Sequence, residues 1–87
     1  MTRNELAILC FSEYSKLSEN ERDQFIKKLI ERRKKHEKKL VTLHDLEEKI
    51  GTKAVIKKYD KIIFVCKLFI LDENISSIDC MNKLETI

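Results

Sequence analysis

Few residues of this chain could do chemistry, and their spacing supports no catalytic constellation. His44 and Glu48 lie four positions apart and could share a helix face, as metal ligands do, but no third ligand has suitable spacing. The three cysteines, Cys10, Cys66 and Cys80, form no CxxC pair and stand far apart in apolar surroundings. They favour a reducing compartment over a disulfide framework. We therefore expect a cytoplasmic protein that is not an enzyme and has no metal site or cofactor.

A second group of residues points to binding. Residues 27–39 hold eight lysines and arginines and two glutamates, whereas the whole chain has a net charge of only +3. At about 100° per residue, a helix places seven of these cations within an arc of about 160°, with apolar positions such as Leu29 opposite. Arg33 alone falls among the apolar positions. The seven cations are Lys27, Lys28, Arg32, Lys34, Lys35, Lys38 and Lys39.

A cationic helix face about 18 Å long could neutralise several phosphates of a nucleic acid. Residues 27–39 contain no aromatic side chain on which an unpaired base could stack, so a duplex is the better ligand. The sequence thus predicts a DNA-binding regulatory protein that contacts the phosphate backbone without reading base sequence. The competing interpretation is that these lysines only form a solvated helix face.

Residues 42–59 resemble a helix-turn-helix motif, in which one short helix ends at Gly51 and a second begins at Thr52. Two features depart from the motif. Glu47 stands where a small residue normally lies at the helix crossing, and the turn is one residue short. The alternative is that Gly51 ends one helix and Thr52 caps the next without forming the motif. Additional contacts to nucleic acid would come from Lys53, Lys57 and Lys58.

The composition restricts the fold, because the chain has one glycine and no proline in 87 residues. A domain of this length usually carries about six glycines and about four prolines, which supply turns and helix ends. With 43% hydrophobic residues, the chain has a globular rather than a disordered composition. We expect one all-α domain over residues 1–87, a small helical bundle of about four to five helices with one long basic amphipathic helix.

Polar residues that can cap helices mark where the helices begin. Ser18 and Glu21 fit the capping box, in which a serine and a glutamate three positions later each satisfy a free backbone N–H. Asn4 could cap a first helix, and Ser76 or Ser77 could start the last one.

Two segments leave a choice of structure. The long basic helix either ends near residue 40, before a separate helix at 43–50, or continues to Gly51. Residues 54–71 repeat apolar side chains every three or four positions, which favours a helix. They are also rich in β-branched and aromatic residues, so the alternative is an α+β fold with a hairpin at 54–71.

The small size of the chain indicates a binding partner, because a lone core of this size is marginal. A homodimer would supply the missing burial. The alternative function is an adaptor or inhibitor that docks on a larger protein through apolar residues 55–71. The longest apolar run, 62–71, is too short to span a bilayer, so we expect no membrane partner. The predicted dimer or partner interface consists of Val55, Tyr59, Ile62, Cys66 and Phe69.

Overall fold

The computed structural model describes residues 1–87 and contains four α-helices and no strand. The predicted all-helical bundle is therefore confirmed, and the hairpin alternative at 54–71 is wrong. That segment is the C-terminal part of one helix, since its three- and four-residue spacing buries a continuous face and no turn residue interrupts it. The helices are α1 (Arg3–Ser15), α2 (Glu19–Thr42), α3 (Leu46–Leu71) and α4 (Ser77–Leu84).

Two of the three predicted N-terminal helix caps are confirmed. Ser18 Oγ accepts from Glu21 N at 3.3 Å, and Glu21 Oε1 accepts from Ser18 N at 3.1 Å, which completes the capping box of α2. The bond to Ser18 N–H lowers the pKa of the Glu21 carboxyl. Ser76 caps α4, as predicted. Thr2, not Asn4, caps α1, because its hydroxyl accepts from Glu5 N at 3.1 Å.

The end of α2 agrees with the first predicted arrangement, but the helix that follows differs from both arrangements. α2 continues to Thr42, Leu43 is extended, and Asp45 caps α3 by accepting from Glu47 N at 3.0 Å. α3 then runs through Gly51, which has no positive φ, so the predicted helix end at this position is wrong. A helical glycine costs about 1 kcal/mol relative to alanine, which the packing of a long helix readily offsets. No helix-turn-helix forms at 42–59.

The core lies at one end of the molecule. α1 runs parallel to the C-terminal half of α3, and α2 runs antiparallel to it, while α4 packs on α1 and α3. Phe69 joins these elements, because its ring centroid lies 6.0 Å from that of Phe11 and 5.6 Å from that of Tyr14. Edge-to-face contacts of this kind add to the burial of apolar area. The core consists of Ala7, Phe11, Tyr14, Leu29, Ile62, Ile63, Val65, Cys66, Phe69, Cys80 and Leu84.

At the other end of the molecule, α2 and α3 form a helical hairpin without cover from α1 or α4. Residues 34–42 of α2 and 46–58 of α3, with the turn 43–45, extend beyond the core, and we name them the distal hairpin. Thr52 is the one buried residue among them. The molecule is accordingly elongated, with principal extents of 44 × 27 × 19 Å. The fold thus presents two helix faces that no other part of the chain covers.

Candidate nucleic-acid interface

The seven predicted cations all lie on α2, and all seven are exposed. None forms an ion pair within 4.0 Å, since every ion pair of the structure uses other residues. α2 is continuous from its Ser18 cap to Thr42, so it holds them on one rigid side. We name this surface the cationic face, formed by Lys27, Lys28, Arg32, Lys34, Lys35, Lys38 and Lys39.

Arg33, the cation that the periodicity separates from the others, has a different environment. Its Nε donates to Asp60 Oδ1 on α3, and its Nη1 donates to Glu37 Oε1 on α2. The bond to the Asp60 carboxylate raises the pKa of the Arg33 guanidinium. Arg33 therefore holds the two helices together, while the cations of the cationic face have no such partner. The sequence does not identify Asp60 as the partner of Arg33, because the two residues lie 27 positions apart.

His36 packs between α2 and α3, as its inward position in the sequence indicates. Its Nδ1 lies 2.8 Å from the carbonyl oxygen of Arg32, and its ring centroid lies 5.6 Å from that of Tyr59. Because a carbonyl oxygen only accepts, Nδ1 carries the proton in this contact. The centroid of the Tyr59 ring in turn lies 5.5 Å from the Nζ of Lys58, its neighbour on α3. The His36–Tyr59 contact thus joins α3 to a side of α2 that lies outside the cationic face.

The three additional lysines of the sequence prediction lie on α3, apart from the cationic face. Lys53 and Lys57 are exposed, and Lys58 is half-buried. Lys57 lines a shallow depression with Arg3 and Lys61, on the α1 side of the molecule. The structure therefore does not bring these lysines onto the surface formed by α2.

The predicted dimer or partner interface lies largely in the core of the chain. Ile62, Cys66 and Phe69 are 4%, 0% and 7% exposed, and Val55 and Tyr59 are half-buried. The periodicity of 55–69 correctly marks a buried face, but α1 and α2 of the same chain cover most of it. A partner could reach the buried members only if these helices separated.

The groups considered for catalysis or metal binding remain apart. His44 lies in the turn before α3 and Glu48 lies within α3, so they share no helix, and both are exposed. Nowhere do three or more His, Cys, Asp and Glu side chains converge in a way that could hold a metal ion. All three cysteines are free, and burial raises the pKa of Cys66 to about 12. That thiol stays protonated near neutral pH and is a poor nucleophile.

None of the four helices combines the length and the apolar character that crossing a bilayer requires. Comparison of the chain with protein-family models, with curated proteins and with solved structures gives no match.

Proposed function

We propose that this protein is a non-catalytic regulatory module that binds duplex nucleic acid through the cationic face. One observation carries the proposal: seven cations lie along one side of one helix, and all are exposed and free of ion pairs. A solvated helix face usually intersperses charges of both signs. Within the arc of the cationic face, Glu31 is the one acidic residue. Phosphates would relieve the mutual repulsion of the seven cations.

The dimensions of the cationic face fit a duplex backbone. Residues 27–39 span about 18 Å along the helix axis. One strand of a duplex carries a phosphate for about every 3.4 Å of axis, so the face could contact about five phosphates. No aromatic side chain lies among residues 27–39, and the side chains are long and flexible lysines for the most part. The proposed binding is therefore to backbone, without base readout.

The distal hairpin makes the cationic face accessible. Lys34, Lys35, Lys38 and Lys39 belong to the part of α2 that extends beyond the core, where neither α1 nor α4 lies alongside. A rigid duplex could approach this part without contact from the rest of the chain. The proposal places the protein in the reducing cytoplasm, where its free cysteines persist.

The test is binding to a random-sequence DNA duplex, measured by fluorescence anisotropy across a salt series. The logarithm of the affinity should fall with the logarithm of the salt concentration with a slope of about −4 to −5, as about five phosphate contacts require. A variant carrying glutamine at four positions should lose at least about tenfold in affinity and most of that slope. The four positions are Lys34, Lys35, Lys38 and Lys39.

A matched control removes the same number of charges elsewhere. The control variant carries glutamine at Arg3, Lys16, Lys67 and Lys83, which are exposed and outside α2. It should retain the affinity of the unmodified protein within about threefold, since it leaves the cationic face intact. Absence of binding at low salt, or an equal loss in both variants, would contradict the proposal.

The second candidate is an adaptor that docks on a larger protein through residues 55–71. Ile70 and Leu71, at the end of α3, are 58% and 84% exposed and favour it. Most other apolar residues of 55–71 are buried or half-buried, so such an adaptor would have little further apolar surface for docking. Affinity capture separates the two candidates: one stoichiometric protein that survives nuclease and high salt favours the adaptor, whereas nuclease-sensitive recovery favours nucleic-acid binding.

A further inference from the structure

The side of α3 that faces away from α2 carries apolar residues that nothing in the chain covers. Leu46 and Ile50, in the distal hairpin, are 70% and 60% exposed. Ile50 lies about 180° around the helix axis from Tyr59, which contacts His36 of α2. It has the same azimuth as Leu68, about five turns later, which packs against the core. The apolar side of α3 thus continues past the core into solvent.

Gly51 lies beside this surface and has no explanation within one copy of the chain. It sits inside a helix, has no positive φ, and a Cβ built on it meets nothing within 4 Å. Alanine would stabilise an isolated helix here by about 1 kcal/mol. A glycine with no conformational role allows another backbone to approach closely. Ala54, one turn further along, is also small and half-buried.

From these observations we infer that two copies of the chain associate through this side of α3 about a two-fold axis. We name the surface the α3 outer face, formed by Leu46, Glu47, Ile50, Gly51, Lys53 and Ala54. It lies on the side of the molecule opposite the cationic face, so the inference is independent of nucleic-acid binding. It also differs from the predicted interface at 55–69, much of which is buried in the core.

The charges of α3 suit an antiparallel pairing of two identical helices. Asp45, Glu47 and Glu48 make its beginning acidic, and lysines follow at positions 49, 53 and 57. A two-fold axis beside Ile50 brings the two Ile50 side chains together. Glu47 and Lys53 lie three residues, about 4.5 Å, on either side of Ile50 and about 60° to either side of it around the axis, so each glutamate would lie level with the partner's lysine, diagonally across the pair. A parallel pairing would instead set acidic against acidic.

The exposed area also matches a dimer. The chain exposes 6191 Å². A compact monomer of this mass exposes about 5,400 Å². The excess of about 800 Å² is close to what each partner buries in a specific interface of standard size. Pairing of the distal hairpins would turn two helices into a four-helix arrangement and cover apolar side chains that the monomer leaves in water.

Sedimentation equilibrium across the micromolar range tests the inference. The unmodified protein should approach twice 10.4 kDa as concentration rises. Ile50→Lys should raise the dimer dissociation constant at least about tenfold, because it sets two ammonium groups together at the axis. Ile78→Lys, at a residue of α4 that is 73% exposed, should leave the constant unchanged. Circular dichroism should show the same helix content in both variants.

Charge exchange tests the orientation of the pairing. Glu47→Lys and Lys53→Glu should each weaken the dimer, and the double variant should restore at least half of the loss. A mass of 10.4 kDa for the unmodified protein throughout the range would overturn the inference. Equal weakening by Ile50→Lys and Ile78→Lys would also overturn it. Absence of rescue in the double variant would overturn the antiparallel pairing about Ile50.

Discussion

The guanidinium carbon of Arg22 lies 4.5 Å from the ring centroid of Phe69, which places α2 directly over the aromatic centre of the core. The same guanidinium donates from Nη2 to the carbonyl oxygen of Ser15 at 2.9 Å and from Nε to that of Tyr14 at 3.3 Å. These carbonyls belong to the last turn of α1, where a helix lacks intrahelical donors, and the Tyr14 oxygen also accepts from Leu17 N at 3.1 Å. Arg22 therefore joins the end of α1 to α2 and α3.

Replacing Arg22 with alanine should lower the free energy of unfolding by about 2–3 kcal/mol. The change removes two hydrogen bonds from a charged donor, cation–π contacts with Phe69 and Tyr14, an exposed ion pair with Glu73 and the cover over Phe69. Arg22→Lys should recover less than half, since an ammonium lacks the planar fork that reaches two carbonyls at once. Urea denaturation measures both, with Arg32→Ala on the exposed side of α2 as the control. A loss for Arg22→Ala no greater than that of the control would contradict the role assigned to Arg22.

Much of the fold follows from local signals in the sequence. The Ser18 capping box and the separation of Arg33 from the other cations are both visible in residue spacing. The continuity of α3 through Gly51 is not visible in residue spacing. A glycine favours the end of a helix only where helical continuation would bury no further side chains. Residues 62–69 do bury side chains, through contacts distant in sequence.

The periodicity of 55–69 shows why the sequence predicts only part of the structure around the candidate dimer or partner interface. Helical spacing shows that Ile62, Cys66 and Phe69 share one buried side, but it carries no information on which chain covers them. In the structure the cover comes from the same chain. The cationic face was predictable because exposed lysines need no partner to be placed.

Arg33 and Lys34 are adjacent in sequence and should show opposite effects. Arg33→Gln removes the bonds to Asp60 and Glu37 and should lower the free energy of unfolding by about 1 kcal/mol, a modest loss since both carboxylates are about half-exposed. It should leave DNA affinity within about twofold, as Arg33 faces away from the cationic face. Lys34→Gln should leave stability within about 0.5 kcal/mol and weaken DNA binding by about two- to threefold.

Paired urea denaturation and anisotropy titrations check this separation on the same protein preparations. A further Arg33→Gln and Asp60→Asn cycle isolates the contact between α2 and α3, and the double variant should lose less than the sum of the single ones. A loss of affinity for Arg33→Gln as large as that for Lys34→Gln would show that the two cations act on the ligand together.

The buried thiol of Cys66 should make stability fall at alkaline pH. Burial raises its pKa to about 12 in the folded protein, whereas an unfolded cysteine titrates at about 8.5. Between these values the unfolded chain loses a proton that the folded chain keeps, so the free energy of unfolding decreases as pH rises. The contribution is fully present below about pH 8.5. Denaturation at several pH values, compared with Cys66→Ala, should show a smaller alkaline loss in the variant.

Alkylation followed by mass spectrometry gives a second measure of the same environment. Cys66 is fully buried and should react with iodoacetamide only when the protein unfolds, while half-buried Cys10 should react first. In urea all three cysteines should react at similar rates. Rapid labelling of Cys66 in the folded protein would contradict both expectations.

Larger side chains at Gly51 should stabilise the folded monomer and weaken the proposed dimer. In an Ile50→Lys background, which should be monomeric, Gly51→Ala should raise the free energy of unfolding by about 1 kcal/mol, because the added Cβ meets no atom within 4 Å and helix propensity improves. Gly51→Leu should be nearly as favourable in that monomer. With Ile50 retained, Gly51→Leu should raise the dimer dissociation constant at least about tenfold, since its side chain occupies the space that a close second backbone needs. Thermal denaturation and sedimentation equilibrium measure the two effects, and a tighter dimer with leucine would show that the helices do not approach closely at Gly51.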